Sequence, residues 1–236
     1  MESGFKSDCG KIREQNEDNY LQTEQNGLKI FAVADGMGGH NAGEVASSIA
    51  IEMLRDHNFS FNRVPGDLIE VIEAINNQIK NKAEQNPEYQ GMGTTLTAAV
   101  LSENQVYIGH VGDSRAYLLR NREFKQLTED HSLVNRLVKD GKITAEEAKD
   151  HPQSNVLLQA LGTESQVDID LIELEAKTGD LFLLCSDGLN TMLSDREVKS
   201  ILLEEKSLQQ KADKLVQRAK EFGGYDNITI NLFAVS

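Results

Sequence analysis

The sequence predicts an α+β protein in which sheets are covered by helices. About ten short strand-like runs are mostly joined by hairpin-length turns, and about five stretches carry an apolar stripe at helical spacing. There are only three prolines, and no Gly/Ser linker, low-complexity tract or internal repeat marks a boundary. The 236 residues are therefore read as one domain, 1–236, long enough to bury a sizeable core.

The elements follow in order. Asn19–Gln22 and Lys29–Asp35 are predicted to pair across a turn containing Asn26-Gly27. The second run, Ile30 to Ala34, is wholly apolar and stops at Asp35, Gly36, Gly38 and Gly39. Ala46, Ile49, Ala50, Met53 and Leu54 then recur at helical spacing, so the reading is strand, tight glycine turn, helix. A second helix, with Leu68, Val71, Ile72, Ile75 and Ile79 on one face, is expected to start near Asp67, after a loop through Pro65-Gly66, and to end before Pro87. Thr94–Ser102, Gln105–Val111, Ala116–Arg120 and Phe124–Leu127 read as four strands of one antiparallel meander.

Residues 128–155 are polar and helical in pieces, with a capping box at Thr144/Glu147 and a turn at Asp140-Gly141, and are read as a surface flap. Val167, Ile169 and Leu171 alternate as in a half-buried strand. Leu181–Cys185 is a fully apolar strand ending in Ser186-Asp187-Gly188. Capping boxes at Ser194/Glu197 and Ser207/Gln210 start two helices, the second stopped by Gly223-Gly224. A last strand, Ile228–Val235, follows Asp226-Asn227 directly.

Charge and composition exclude several classes. With 24 basic and 38 acidic residues the net charge is -14, which repels phosphodiester backbones and anionic membrane surfaces, so no nucleic-acid or membrane partner is expected. With no secretory h-region and no apolar run of spanning length, a cytoplasmic protein is expected. The two cysteines, Cys9 and Cys185, make no disulfide framework.

Four acids share one feature. Asp35, Asp113, Asp187 and Asp226 each sit at a predicted strand end beside glycine or asparagine. A single such acid is an ordinary turn former. Four together, three of them against strongly apolar strands, call for a compensating cation. Only oxygen ligands are on offer, which favours Mg²⁺ or Mn²⁺ over Zn²⁺. Two such ions about 3.5–4 Å apart can activate a bridging water and stabilise in-line displacement at phosphorus, which points to phosphate-ester hydrolysis. Arg13, followed by Asn16-Glu17-Asp18, supplies a guanidinium suited to phosphate oxygens.

Arg13 with Asn16-Glu17-Asp18, Asp35-Gly36-Met37-Gly38-Gly39, Gly93-Thr94-Thr95, Gly112-Asp113-Ser114-Arg115, Ser186-Asp187-Gly188 and Asp226-Asn227 occur in that order. Over almost the whole chain this resembles the metal-dependent protein phosphatase family, the protein phosphatase 2C type, in its short bacterial form. The resemblance implies a four-layer α-β-β-α sandwich of two mainly antiparallel sheets, with metals at one edge. It implies a serine/threonine phosphatase attacking its substrate directly with a metal-bridging hydroxide, without a phosphoenzyme. Asp35 would bridge two Mn²⁺ or Mg²⁺ ions, the Gly36 carbonyl would join the second, and Asp187 and Asp226 would complete the first. Asp113 would hold a third, weaker ion with Asp187 shared. Glu17 and Asp18 would hold metal-bound waters, and Arg13 would bind the substrate phosphate.

The implied partners are phosphorylated proteins and a cognate serine/threonine protein kinase, and the implied state is a monomer. Gly93-Thr94-Thr95 is assigned to packing near the site. Two departures stand out. Met37 occupies a position where some members carry a histidine that acts as general acid, and His40, three residues on, is read as a surface or cap residue. Gln159 replaces a residue that is often basic.

Other phosphatase chemistries fail on the sequence. Six residues after Cys9 and Cys185 stand Gln15 and Thr191, not the arginine of a cysteine phosphatase. Two residues after Asp35 and Asp187 stand Met37 and Leu189, not the second aspartate of a haloacid-type hydrolase. No P-loop lysine follows the glycines. A metal-stabilised, non-catalytic module would show erosion of the acids or of Arg13, and none is eroded.

Overall fold

The computed structural model describes residues 2–38, 42–149 and 151–235 and consists of two antiparallel sheets packed face to face, with helices on their outer faces. The first sheet has the order β1 (Ser3–Asp8), β11 (Ile228–Ala234), β10 (Leu181–Cys185), β7 (Arg115–Arg120), β8 (Glu123–Gln126). The second runs β2 (Asp18–Gln25), β3 (Leu28–Met37), β5 (Leu96–Ser102), β6 (Gln105–Val111), β9 (Asp170–Glu175), and the short β4 (Gly93–Thr94) pairs with the end of β3. Helices α1 (Ala42–Asp56) and α2 (Val64–Gln85) cover the second sheet. Helices α6 (Asp195–Leu202) and α7 (Leu208–Glu221) cover the first. Both capping boxes of α6 and α7 are formed.

Side-chain parity explains three apolar layers. On β3, Ile30, Ala32 and Ala34 point at α1 and α2, whereas Phe31 and Val33 point between the sheets. On β10, Leu183 and Cys185 face the helices, and Phe182 and Leu184 face inward. Phe233 stacks on Phe31 at 4.1 Å and on Phe182 at 4.8 Å, closing the middle layer. The central strands β5 and β10 are buried along their whole length, which is why they read as continuous apolar runs.

Several expectations are corrected. The four central strands do not form one meander: β5 and β6 stay in the second sheet, while β7 and β8 belong to the first. The chain crosses between sheets at Gly112-Asp113-Ser114, and hydrophobic period alone carries no information about which sheet a strand joins. Strand β3 does not end at Asp35 but runs to Met37, because Gly36 and Met37 pair with Thr94 and Gly93 of β4. Helix α2 begins at Val64 rather than near Asp67, with Pro65 in its first turn, where a missing N–H costs nothing. The strand expected from Val167 begins only at Asp170, and its inward residues are Ile172 and Leu174, with Leu171 exposed. Strand β1 and a four-residue helix, α5 (Asp187–Asn190), were not anticipated.

Residues 128–155 contain α3 (Leu133–Lys139) and α4 (Ala145–Lys149). The Thr144/Glu147 box is formed, and Gly141 has φ +67°. No helix among the described residues is long and apolar enough to cross a membrane.

Candidate active site

Continuing the β3 alternation, the residue two beyond Val33 emerges between the sheets, just where the apolar filling stops. That residue is Asp35. The β2–β3 register places Asp18 directly opposite it. From the other sheet, β10 is followed by Ser186, whose Oγ donates to Asp18 Oδ2 at 2.7 Å, and Asp187 opens α5 beside it. Asp226 precedes β11, and Asp113 sits in the crossing between β6 and β7. One pocket at this sheet edge is lined by Arg13, Glu17, Asp35, Gly36, Asp113, Asp187 and Asp226, together with Met37 and Thr95. Asp18 lies beneath it, 5% exposed. Residues from six separate stretches of chain thus converge. His40 lies outside the described residues.

Backbone geometry at the pocket depends on glycine. A Cβ on Gly36 would lie 2.2 Å from the Gly43 carbonyl oxygen and 2.6 Å from that of Glu17, so strand end, helix start and the Glu17 segment close up only without a side chain. Gly36 N–H donates to the Glu17 carbonyl at 3.2 Å, and Ser47 Oγ on α1 donates to the same oxygen at 2.5 Å.

The electrostatics are those of crowded anions. Burial, then the charges of Asp18, Asp187, Asp113 and Asp226, raises the Asp35 carboxyl well above its ordinary range. Asp18 is raised by burial, against the hydrogen bond it accepts from Ser186 and the nearness of Thr229. Burial and then Asp226 raise Asp187, opposed by the charges of Arg13 and Arg115. Burial, Asp187 and Asp130 push Asp113 up to about 8. Asp35, Asp113 and Asp187 are enclosed by protein yet keep part of their surface open to the pocket. Arg13 at the rim gives limited relief: its Nη2 donates to Asp226 Oδ2 at 2.8 Å, with side chains 51% and 36% exposed.

The donor set suits hard divalent cations. It is all oxygen, and two buried carboxylate oxygens beside it, Glu17 Oε1 and Asp18 Oδ1, have no hydrogen-bond partner among the described residues. Among the described residues, no group of three or more such side chains is already drawn together as a closed ligand cluster. Asp226 gives Oδ2 to Arg13 and Oδ1 to the Asn227 N–H.

Hydroxyl side chains arrange the acids, a role that the sequence motifs containing them did not reveal. Thr95 does more than pack: its Oγ1 accepts from Asp35 N–H at 3.0 Å and meets Ser114 Oγ at 2.6 Å, while Thr95 N–H donates to the Asp35 carbonyl at 2.9 Å. Asn227 ties Cys9, Gln15 and Glu17 together through its side-chain amide. Gln159 accepts from Asp168 N–H at 2.8 Å and so braces a loop. Neither cysteine offers a nucleophile in the pocket, and burial pushes the Cys185 thiol up to about 12.

Residues 11–222 match the family model of protein phosphatase 2C. The chain is 44% identical to the serine/threonine phosphatase stp of Listeria monocytogenes, over 98% of this chain and 95% of that one. The serine/threonine phosphatase of S. agalactiae superimposes with a TM-score of 0.95 at 37% identity, covering 100% of this chain and 99% of that one. The PstP catalytic domain in complex with 2 manganese ions superimposes with a TM-score of 0.89 at 37% identity, covering 99% and 98%. With its paired antiparallel sheets, its carboxylate-lined edge and this likeness along nearly its full length, the chain belongs to the protein phosphatase 2C family and is a protein serine/threonine phosphatase.

Proposed function

We propose that the chain is a Mn²⁺- or Mg²⁺-dependent phosphatase of phosphoserine and phosphothreonine in proteins, acting without a phosphoenzyme and reversing a serine/threonine kinase. The observation that carries this reading is the convergence of Asp35, Asp113, Asp187 and Asp226 on one pocket, where burial and mutual repulsion raise the first three. In this reading Asp35, the Gly36 carbonyl, Asp187 and Asp226 would together hold two ions, with Asp35 shared between them, and Asp113 with Asp187 would hold a third, weaker one. When bound, such ions neutralise the carboxylates, polarise phosphoryl oxygens and lower the pKa of water.

The chain's own groups bind and orient. Arg13, half-exposed and held among the described residues only by Asp226, exchanges that carboxylate for the two oxygens of a substrate phosphate, which frees Asp226 to turn toward Asp187. Glu17 and Asp18 offer their unpartnered oxygens to ordered water in the pocket floor. Met37 has no proton to give a leaving alkoxide, so the pocket leaves that role to a group other than the residue at this position. Residues 128–155 act as a flap, since Asn155 and nearby Leu157 reach the pocket rim.

The test has two arms. Isothermal titration should register at least two Mn²⁺ ions that Asp35→Asn no longer binds, and phosphopeptide hydrolysis should stop in excess chelator. Undiminished turnover in chelator, or a covalent phosphoenzyme trapped during turnover, overturns the reading.

A further inference from the structure

The turn that carries Asp113 is gripped from the root of the 128–155 segment. Gly112 has φ +110°, and a Cβ there would lie 2.6 Å from the Thr95 Cβ, so this position has no room for a side chain to anchor it. Its anchors come from His131. The His131 N–H donates to the Gly112 carbonyl at 2.8 Å, and the Gly112 N–H donates to His131 Nδ1 at 3.2 Å. A ring nitrogen that accepts carries no proton, so the neutral ring is protonated on Nε2, which donates to Asp170 Oδ2 at 3.2 Å.

The neighbouring residues reinforce the grip. Asp130 takes the Arg115 guanidinium with both oxygens, and the Leu158 N–H donates to the His131 carbonyl at 2.8 Å. The His131 side chain is 11% exposed, with the His110 ring at 4.9 Å. His110 is fixed in turn, its ring nitrogens meeting Thr97 Oγ1 at 2.9 Å and the Glu129 carbonyl at 3.1 Å.

We propose that His131 is a positioning residue for Asp113: its Nδ1 fixes the Gly112 amide and so the aim of the Asp113 carboxylate, while Asp170 sets the tautomer that makes Nδ1 an acceptor. The proposal rests on the reading of Asp113 as ligand of the weaker metal. A ring that merely filled space beneath the flap would show no preference between its two nitrogens. Asparagine keeps an acceptor at the Nδ1 position, and glutamine keeps a donor at the Nε2 position, so the pair separates the two roles.

The experiment compares the wild type with H131N, H131Q, D113A and H131Q/D113A by Mn²⁺ calorimetry, phosphopeptide kinetics and exchange of the Gly112 amide in metal-free protein. In H131Q the weakest Mn²⁺ site and kcat should each fall about tenfold, the size of effect typical of groups that orient a metal ligand. The tighter sites and the melting temperature should hold, and Gly112 amide protection should drop. H131N should stay within about threefold of wild type, and H131Q should cost nothing further in D113A, as expected for one coupled unit. Equal losses in H131N and H131Q, losses that multiply in the double variant, or unchanged Gly112 protection in H131Q overturns the proposal. A D113A isotherm identical to wild type instead removes Asp113 from the metal set, and Gly112 protection then decides the grip by itself.

Discussion

Asp18 and Asp35 stand directly opposite each other across β2 and β3, two carboxylates on one face of the same antiparallel pair. Like charges in that arrangement repel, and here both point into the layer between the sheets, where burial strengthens the repulsion. Ser186 satisfies one oxygen of Asp18 and leaves the other without a partner among the described residues. A sheet edge of this kind is destabilising to the bare chain, so its acids are best understood as a preformed site for positive charge.

The first prediction concerns pH. A carboxyl whose folded pKa is raised binds protons more tightly in the folded state, so its contribution to stability is complete near pH 4 and is lost as pH rises toward the folded value, about 8 for Asp113. His110 works oppositely, because burial lowers it to about 4, but its effect is confined below about pH 6.5. In chelator the melting temperature should therefore rise as pH falls from about 8 to 6.5. Saturating Mn²⁺ should flatten that trend. Calorimetric scans showing the opposite slope in chelator would remove the carboxylate repulsion from the account.

Asp35→Asn separates stability from function. Removing one charge from the cluster should stabilise the metal-free protein by about 0.5–2 kcal/mol, the usual gain when a functional strain is relieved. The same change removes the carboxylate proposed to bridge the ions, and turnover should fall about 10³-fold or more, since metal-based charge stabilisation is worth several kcal/mol. Denaturant titration in chelator and phosphopeptide turnover in Mn²⁺ measure the two effects. A variant both less stable and still active would contradict the role given to Asp35.

Arg13→Ala should act on substrate more than on the fold. The Arg13–Asp226 pair is largely exposed, and such pairs contribute about 1 kcal/mol at most, so the melting temperature should move by no more than about 4 °C. KM for a phosphopeptide should rise, by about tenfold, with a smaller change in kcat. Arg13→Lys should recover only part of the loss, because an ammonium lacks the planar fork that matches two phosphate oxygens. An unchanged KM in the alanine variant would clear Arg13 of phosphate binding.

The acids were legible because chemistry and pattern coincide in them. Asp35 and Asp187 interrupt or follow wholly apolar stretches, which is a conspicuous place for a charge, and Asp226 lies two residues before the largely apolar β11. The hydroxyls that hold them were not legible, since Thr95, Ser114 and Ser186 are common residue types whose role lies in long-range hydrogen bonds. For the same reason His131 left no mark in the sequence: its partners, Gly112 and Asp170, are 19 and 39 residues away. Helix positions emerged well where Ser194/Glu197 and Ser207/Gln210 formed capping boxes. Strand β1 did not, because its only fully buried residue is a glycine, Gly4, and it offers no apolar alternation.

Thr95→Val tests the hydroxyl linkage between the two acids nearest the crossing. Valine matches threonine in shape, so the close approach to Gly112 survives, but the Asp35 N–H and the Ser114 hydroxyl each lose the oxygen that joins them. Leaving a buried donor unpaired costs about 1–3 kcal/mol, and a melting temperature lower by about 2–10 °C should follow. Because the lost oxygen links Asp35 to the turn bearing Asp113, Mn²⁺ affinity should weaken as well. Thr95→Ser keeps the hydroxyl and should restore the affinity, even if the missing methyl leaves part of the stability loss. A valine variant that melts lower yet titrates with Mn²⁺ like the wild type would reduce Thr95 to packing, the role its place in a Gly-Thr-Thr run first suggests.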